Sequence, residues 1–317
     1  METVTQNQTA ANAVPEKKES SFRRYFRHKF SALRHMGASK ITLFTVVFIL
    51  FLIYALSLIL PFAWMFINSF SKDTTYWQDS WAFRFDAGFD NYAAVFTTLG
   101  VRRAVRTVLV GEMFLYSLIA VGGGVICTLI SCSVGSYVVA KYKFPGRGFI
   151  YNMVLVAMMI PIVGTLPAQI RLMQTVGLDD SFVGVWFLYS GGFGFNFLFM
   201  YAYFKGISWG YAEAAQIDGA SHFRIFIQIM IPMAKPALTA VGVLTFMSLW
   251  GDYQTPYYFL NSYPTLAVGL KELIDPNFLN YPQLFAMAII VSVPVITVFC
   301  IFQKTIMNNL TMGGLKG

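Results

Sequence analysis

Charge is scarce in this chain. Of 317 residues only 12% are Asp, Glu, Lys or Arg, while 56% are hydrophobic and mean hydropathy is +0.58. A soluble domain of this size carries about twice that share of charge, so a water-facing globule is excluded. Cysteine is equally sparse. Cys127, Cys132 and Cys300 fall within apolar stretches, and residues five apart on a helix do not share a face. Cys127 and Cys132 therefore form neither a disulfide nor a metal pair, and all three read as small core residues. The three histidines, His28, His35 and His222, are scattered without a companion at ligand spacing. No Gly precedes a Lys, so the phosphate-cradling pattern GxxxxGK followed by Ser or Thr is missing. Whatever energy drives this chain comes from another one.

What is abundant is long apolar sequence. No charge falls between Lys40 and Lys72, Arg147 and Arg171, Asp180 and Lys205, or Asp275 and Lys304. A fifth stretch, Thr107 to Ala140, contains only Glu112, and a sixth runs from Pro236 to Gly251. A helix needs roughly 20 apolar residues to cross the hydrocarbon core, and unpaired backbone groups are not left in lipid. The pattern predicts an all-α integral membrane protein with six transmembrane helices. The helix of the short sixth stretch is expected to start before Pro232 or Pro236 and to bend there.

Orientation follows from the basic residues. With the N-terminus inside, the inner segments 1–40, 141–148, 205–235 and 304–317 hold sixteen of the 23 Lys and Arg, and the outer loops hold seven. Inner loops carry the excess of Lys and Arg, so both termini are expected to be cytoplasmic. Residues 1–20 are polar and read as disordered. From Ser21, Phe22, Tyr25, Phe26, Phe30 and Leu33 share one helical face ringed by Arg23, Arg24, Arg27, Lys29 and Arg34. That is the spacing of a basic amphipathic helix on a membrane surface. The formal charge of +8 is then directed at lipid headgroups, with no nucleic acid implied. The apolar core that follows is too long for a secretory signal and has no cleavage site after it. The division is a tail over 1–39 and a six-span body over 40–317 with a cytoplasmic loop at 205–235.

Gly206-Ile207-Ser208-Trp209-Gly210 fits the GxSxG pattern of serine hydrolases. That elbow needs a strand-to-helix turn backed by an acid and a His, and here it follows a membrane helix with only His222 nearby. Ser208 reads better as a helix cap. The loop from Ser208 to Pro232 reads as two short helices, the first ending near Ile217 before a left-handed turn at Gly219. The second is capped by Ser221 and passes Ile225, Ile229 and Ile231 into Pro232. Ala214 and Ala215 beside Glu213, with Asp218 one turn on, allow a partner to approach closely and offer carboxylates to basic groups. A solvated amphipathic loop is the plainer alternative.

Glu213-Ala214-Ala215, Gly219 three residues on, and then Ile229, Ile231 and Pro232 resemble the EAA loop of ATP-binding-cassette (ABC) importer permeases. Asp218 and Ala220 also match its longer form, and only Ile231 departs, where Leu is usual. The likeness runs from about Lys40 to Gly317 and is closest to the carbohydrate-uptake branch, in particular to the smaller, six-span permease of the maltose-importer kind. Asn91-Tyr92, Pro161, Pro167, Leu249-Trp250 and the ending Gly313-Gly314-Leu315-Lys316-Gly317 fit that branch. Gly251-Asp252 after Trp250, and Arg106-Thr107 at the second span, do not.

The resemblance implies a type I ABC importer permease fold in a bacterial cytoplasmic membrane, with no ATPase site of its own. It implies a coupling helix in which Glu213, Ala214, Ala215, Asp218, Gly219, Ala220, Ile229 and Pro232 engage an ATPase, with Gly314, Lys316 and Gly317 in a tail reaching toward it. Partners would be a second homologous permease, two ATPase subunits that hold ATP and Mg, and a solute-binding protein delivering an oligosaccharide. This chain would bind no cofactor or metal itself. Glu112, Trp250, Asp252, Tyr253 and Tyr257 are candidates for the substrate pathway, since ionisable groups in spans face a cavity or a partner. Trp250, Tyr253, Tyr257 and Tyr258 are expected to form an aromatic patch, and Trp77 and Trp81 to meet partners. Glu112 is expected to pair with a base on the partner or to hydrogen-bond a sugar hydroxyl. Gly191, Gly192, Gly194, Ser131 and Gly135 are expected to allow close helix packing. The rivals are an ion-coupled secondary carrier and a membrane hydrolase built on Ser208.

Overall fold

A computed structural model describes residues 38–160, 164–191, 193–274 and 280–312. The basic segment at 21–36, Pro161, Gly192 and the tail with Gly314, Lys316 and Gly317 lie outside the described residues. The chain forms two compact units, Met1–Trp64 and Met65–Gly317. Helix α1, Ala38–Asn68, begins in the first. Its Phe48, Phe51 and Leu60 are exposed, which is the surface that lipid, and not water, is suited to cover.

In the second unit, short helices α2 (Asp73–Gln78) and α3 (Asp90–Thr97) lead to an antiparallel hairpin, β1 (Gly100–Arg102) with β2 (Thr107–Leu109). The fold is mostly helical as expected, and this short hairpin moves the start of the second long helix from Thr107 to Val110. Val101 and Val108 pair across the hairpin and are both buried, so period-two burial holds these residues in strands until the helix begins at Val110. Asn91 donates to the carbonyls of Ser69 and Ser71, each at 2.8 Å. Those carbonyls belong to the turn that follows α1, which Asn91 thereby ties to α3. Asp86 accepts from the Lys72 backbone at 2.9 Å and the Thr75 hydroxyl at 2.8 Å. Burial opposes its ionisation, but these bonds hold the carboxyl below its usual range.

Helix α4, Val110–Lys141, is the axis. At 32 residues it is about 48 Å long. Against it pack α7 (Phe182–Tyr189), α8 (Phe195–Gly206) and α12 (Lys235–Trp250). Two glycines make the approach possible. A Cβ on Gly123 would lie 2.1 Å from the Trp186 ring, and one on Gly124 would lie 2.6 Å from the Tyr189 ring and 2.8 Å from Leu249. Trp186 donates to the Ile119 carbonyl at 3.1 Å. Thr128 Oγ1 lies 2.9 Å from the carbonyl oxygens of both Gly124 and Tyr189. The glycines singled out from sequence do less: Gly194 has open space where a Cβ would stand, and Gly135 is in ordinary contact with Phe197.

The third and fourth apolar stretches in chain order, after Arg147 and after Asp180, are interrupted helices. The third comprises α5 (Arg147–Met159) and α6 (Leu166–Val176), with Pro167 in the first turn of α6. The fourth comprises α7 and α8, which part between Tyr189 and Phe195. Among the described residues, α1, α4 and α15 (Tyr281–Met312) contain runs long and apolar enough to span a membrane alone. A fourth candidate span is bent by 76° between 222–233 and 235–250.

One core at the Val110 end of α4 joins Val95, Met113, Trp250, Leu266 and Met287. Another at the Lys141 end joins Tyr137, Met200, Phe204, Ala212, Ile225 and Met230. Short helix α14 (Leu266–Leu273) packs on the first, while α13 (Gln254–Phe259) places Phe259 in a third with Ala120, Met173 and Val185.

Candidate functional site

The loop at the Lys141 end is built from its turns outward. Helix α9 spans Gly210–Ile217. The Gly210 amide donates to Ser208 Oγ at 3.3 Å, while Trp209 occupies the cap position and its carbonyl accepts from Ala212 and Glu213. The helix closes with paired reverse bonds, Gly219 N–H to Gln216 O at 3.0 Å and Ala220 N–H to Ala215 O at 2.9 Å. Gly219 sits at φ +79°, the left-handed residue on which this C-terminal motif depends. Ser221 then caps α10 (His222–Ile225) by accepting from Arg224 at 3.3 Å.

After α10 the backbone widens into a π-helical turn, Phe226–Met230, then forms the single turn α11 (Ile231–Met233). Pro232 and Pro236 flank Ala234 there, and each removes a backbone donor and crowds the carbonyl four residues earlier. The 76° bend falls between them. The expected bend is present, and the π turn before it was not legible from the sequence.

Burial divides α9 cleanly. Ala212 is fully buried, whereas Glu213, Ala214, Ile217 and Asp218 are exposed and Ala215 and Ala220 are half-buried. Tyr211, Ile217 and Phe223 are large apolar groups exposed around them. Glu213 and Asp218 have no ion-pair partner among the described residues. Ile229 is half-buried and Pro232 exposed. The surface offers apolar contact, two carboxylates and small residues between them.

This loop is held to the end of α4. The Lys141 ammonium donates to the Ile207 carbonyl. Tyr142 Oη lies 3.1 Å from His222 Nδ1, and its ring meets Trp209 edge-on at 5.7 Å. With His222 facing Tyr142 and Ser208 accepting from Gly210, no serine–histidine pair exists for hydrolysis among the described residues.

The candidate pathway residues lie at the other end of α4, and the structure brings few of them together. Glu112 Oε1 accepts from Arg106 of the same chain at 2.6 Å. Trp250 is buried, donates to the Val291 carbonyl at 2.9 Å and packs on Phe114 and Phe246. It does not belong to the expected aromatic patch. Its neighbour Asp252 accepts from the Tyr189 hydroxyl at 3.0 Å and the Thr255 amide at 3.2 Å. Tyr253 is exposed. Tyr257 meets Tyr258 edge-on at 5.2 Å, and Lys271 sits 3.8 Å over its ring. A cavity of about 660 Å³ is lined by Arg103, Arg106, Tyr257, Tyr258, Tyr263 and Glu272. Of the five candidates only Tyr257 lines it. Arg103 and Glu272 form a two-bonded ion pair at 3.0 Å across its wall, a contact between residues far apart in sequence that no local pattern signals. Trp77 packs on Tyr281 at 5.3 Å, and Trp81 is exposed.

Residues 128–310 match the model of the binding-protein-dependent transport system inner membrane component. The diacetylchitobiose uptake system permease protein of Streptomyces coelicolor is 27% identical over 84% of this chain and 87% of its own length. The arabinooligosaccharides transport system permease protein of Halalkalibacterium halodurans is 30% identical over 82% and 91%. A bacterial ABC transporter involved in import of the acidic polysaccharide alginate has a chain that superposes with a TM-score of 0.73 at 24% identity, covering 85% of this chain and 98% of that one.

Proposed function

The chain belongs to the binding-protein-dependent transport system inner membrane components, multi-pass permeases of ABC importers, and from that premise we propose that it carries an oligosaccharide inward. Permeases for diacetylchitobiose and arabinooligosaccharides among its relatives support a saccharide cargo. The six crossings are α1, α4, the pairs α5–α6, α7–α8 and α10–α12, and α15, with both termini cytoplasmic. Residues 40–317 are the permease part of the sequence and residues 1–39 a tail before it. The distribution of Lys and Arg supports that orientation.

The observation that carries the mechanism is the outward face of α9. Glu213, Ala214 and Asp218 are exposed, Ala215 and Ala220 are half-buried beside them, and the Gly219 turn fixes their direction. This face enters a cleft on an ATPase subunit, while Ile229 and Pro232 lie on the return into the membrane. ATP and Mg bind the two ATPase subunits, not this chain. Their closure draws the coupling segments together and opens the spans outward to a loaded binding protein; hydrolysis resets them. A second, homologous permease completes the pore. Glu112, Asp252, Tyr253 and Tyr257 face the path at the outer end, with Trp250 supporting them from the core.

Affinity purification of the tagged chain after gentle solubilisation tests this. Recovery of an ATPase and a second permease is expected. Isolation of the chain alone, with uptake unchanged when cellular ATP is depleted, would overturn it.

A further inference from the structure

We propose that Tyr142 and His222, with Lys141, are positioning residues that pass displacement of α9 into α4; the proposal rests on the coupling role assigned to α9. Lys141 and Tyr142 are consecutive at the end of α4, and between them they hold α9 from both sides. Lys141 bonds the Ile207 carbonyl ahead of the helix, and the Tyr142 ring meets Trp209 there. The Tyr142 hydroxyl and ring reach His222 beyond it, at 3.1 Å and 5.5 Å. Tyr142 donates to Nδ1 when the imidazole proton sits on Nε2.

The covalent route out of α9 is poorly suited to transmitting a push. It passes the left-handed Gly219, a π-helical turn and a 76° bend. Each is a departure from straight helix of the kind that marks a bending point. The joint to α4 bypasses all three. From Lys141 back to Val110 α4 is one uninterrupted helix, so motion passed to Lys141, directly or from its cap residue Tyr142, reaches the Val110 end about 48 Å away without crossing a break. There α4 meets the outer hairpin, where Glu112 holds Arg106. The outward face of α9 takes no part in this grip and stays available to the ATPase.

The test is hydrogen exchange by mass spectrometry on the complete importer in nanodiscs, with and without ATP plus vanadate. In wild type, nucleotide is expected to change exchange in both α9 and the Val110–Lys141 helix. In Tyr142→Phe and His222→Ala the α9 response is expected to persist and the α4 response to be lost, with exchange before nucleotide unchanged. The swapped pair Tyr142→His with His222→Tyr is expected to recover it. An α4 response that survives both single variants would overturn the proposal. So would raised exchange throughout the loop before nucleotide is added, which marks a merely structural role. A wild-type α9 that ignores nucleotide would instead sink the coupling reading on which the proposal stands.

Discussion

Glu112 carries its own counter-ion. Arg106 Nη1 lies 2.6 Å from one carboxylate oxygen, while the other, Oε2, is buried without a hydrogen-bond partner among the described residues. The guanidinium also donates to Tyr116 at 3.1 Å. A carboxylate held in this way is oriented by one oxygen and has acceptor capacity left on the other.

Replacing Glu112 with Gln should therefore separate stability from transport. The pair is substantially exposed, and exposed pairs contribute about 0–1 kcal/mol, so thermal unfolding of the purified assembly should move little. Uptake should fall, because the spare acceptor becomes an amide of changed charge and donor pattern. Unchanged uptake would remove Glu112 from the pathway.

Gly219 is the second point of leverage. A Cβ there meets open space, but φ is +79°. Ala should be tolerated at a cost of about 1 kcal/mol for a non-glycine residue in the left-handed region. Pro cannot adopt that φ and removes the bond to Gln216, so Gly219→Pro should abolish uptake while membrane insertion, read by fractionation, stays normal.

A charge at Ala215 should act without unfolding anything. The residue is half-buried on the edge of the outward face. Ala215→Asp should leave the chain in the membrane and abolish ATP-dependent uptake, measured beside the recovery of co-purified ATPase.

Gly123 has the opposite character. A methyl group would overlap the Trp186 ring at 2.1 Å, and overpacking of this kind costs about 1–3 kcal/mol. Gly123→Ala should lower the unfolding temperature of the detergent-purified assembly. Gly122→Ala, with open space at its Cβ, should not.

The local structure of the loop from Ser208 to Pro232 was legible because its signals are local. Ser221 as a cap, Gly219 as a left-handed turn and the prolines around Ala234 each act on backbone within a few residues. The long apolar runs gave the helices of α1, α4 and α15 for the same reason. What escaped was decided at a distance. Gly123 and Gly124 stand in a run of three glycines, and only the arrival of Trp186 and Tyr189 distinguishes them from Gly122. The hairpin before α4 rests on a buried Val101–Val108 pair too short to register as alternation. Trp250 stands beside tyrosines in the sequence and so reads as one of an aromatic patch, yet its burial depends on Phe114, Phe246 and Val291.

The most direct test of the central claim is a cross-link. Ala214 is exposed at the centre of the outward face of α9, so an Ala214→Cys variant can carry a short thiol-directed cross-linker in membranes containing the full assembly. The account predicts a product joining this chain to the ATPase subunit, absent from the parent with its native cysteines, and a block of ATP-dependent uptake once it forms. Modification of the introduced thiol with no ATPase adduct and undiminished uptake would contradict it.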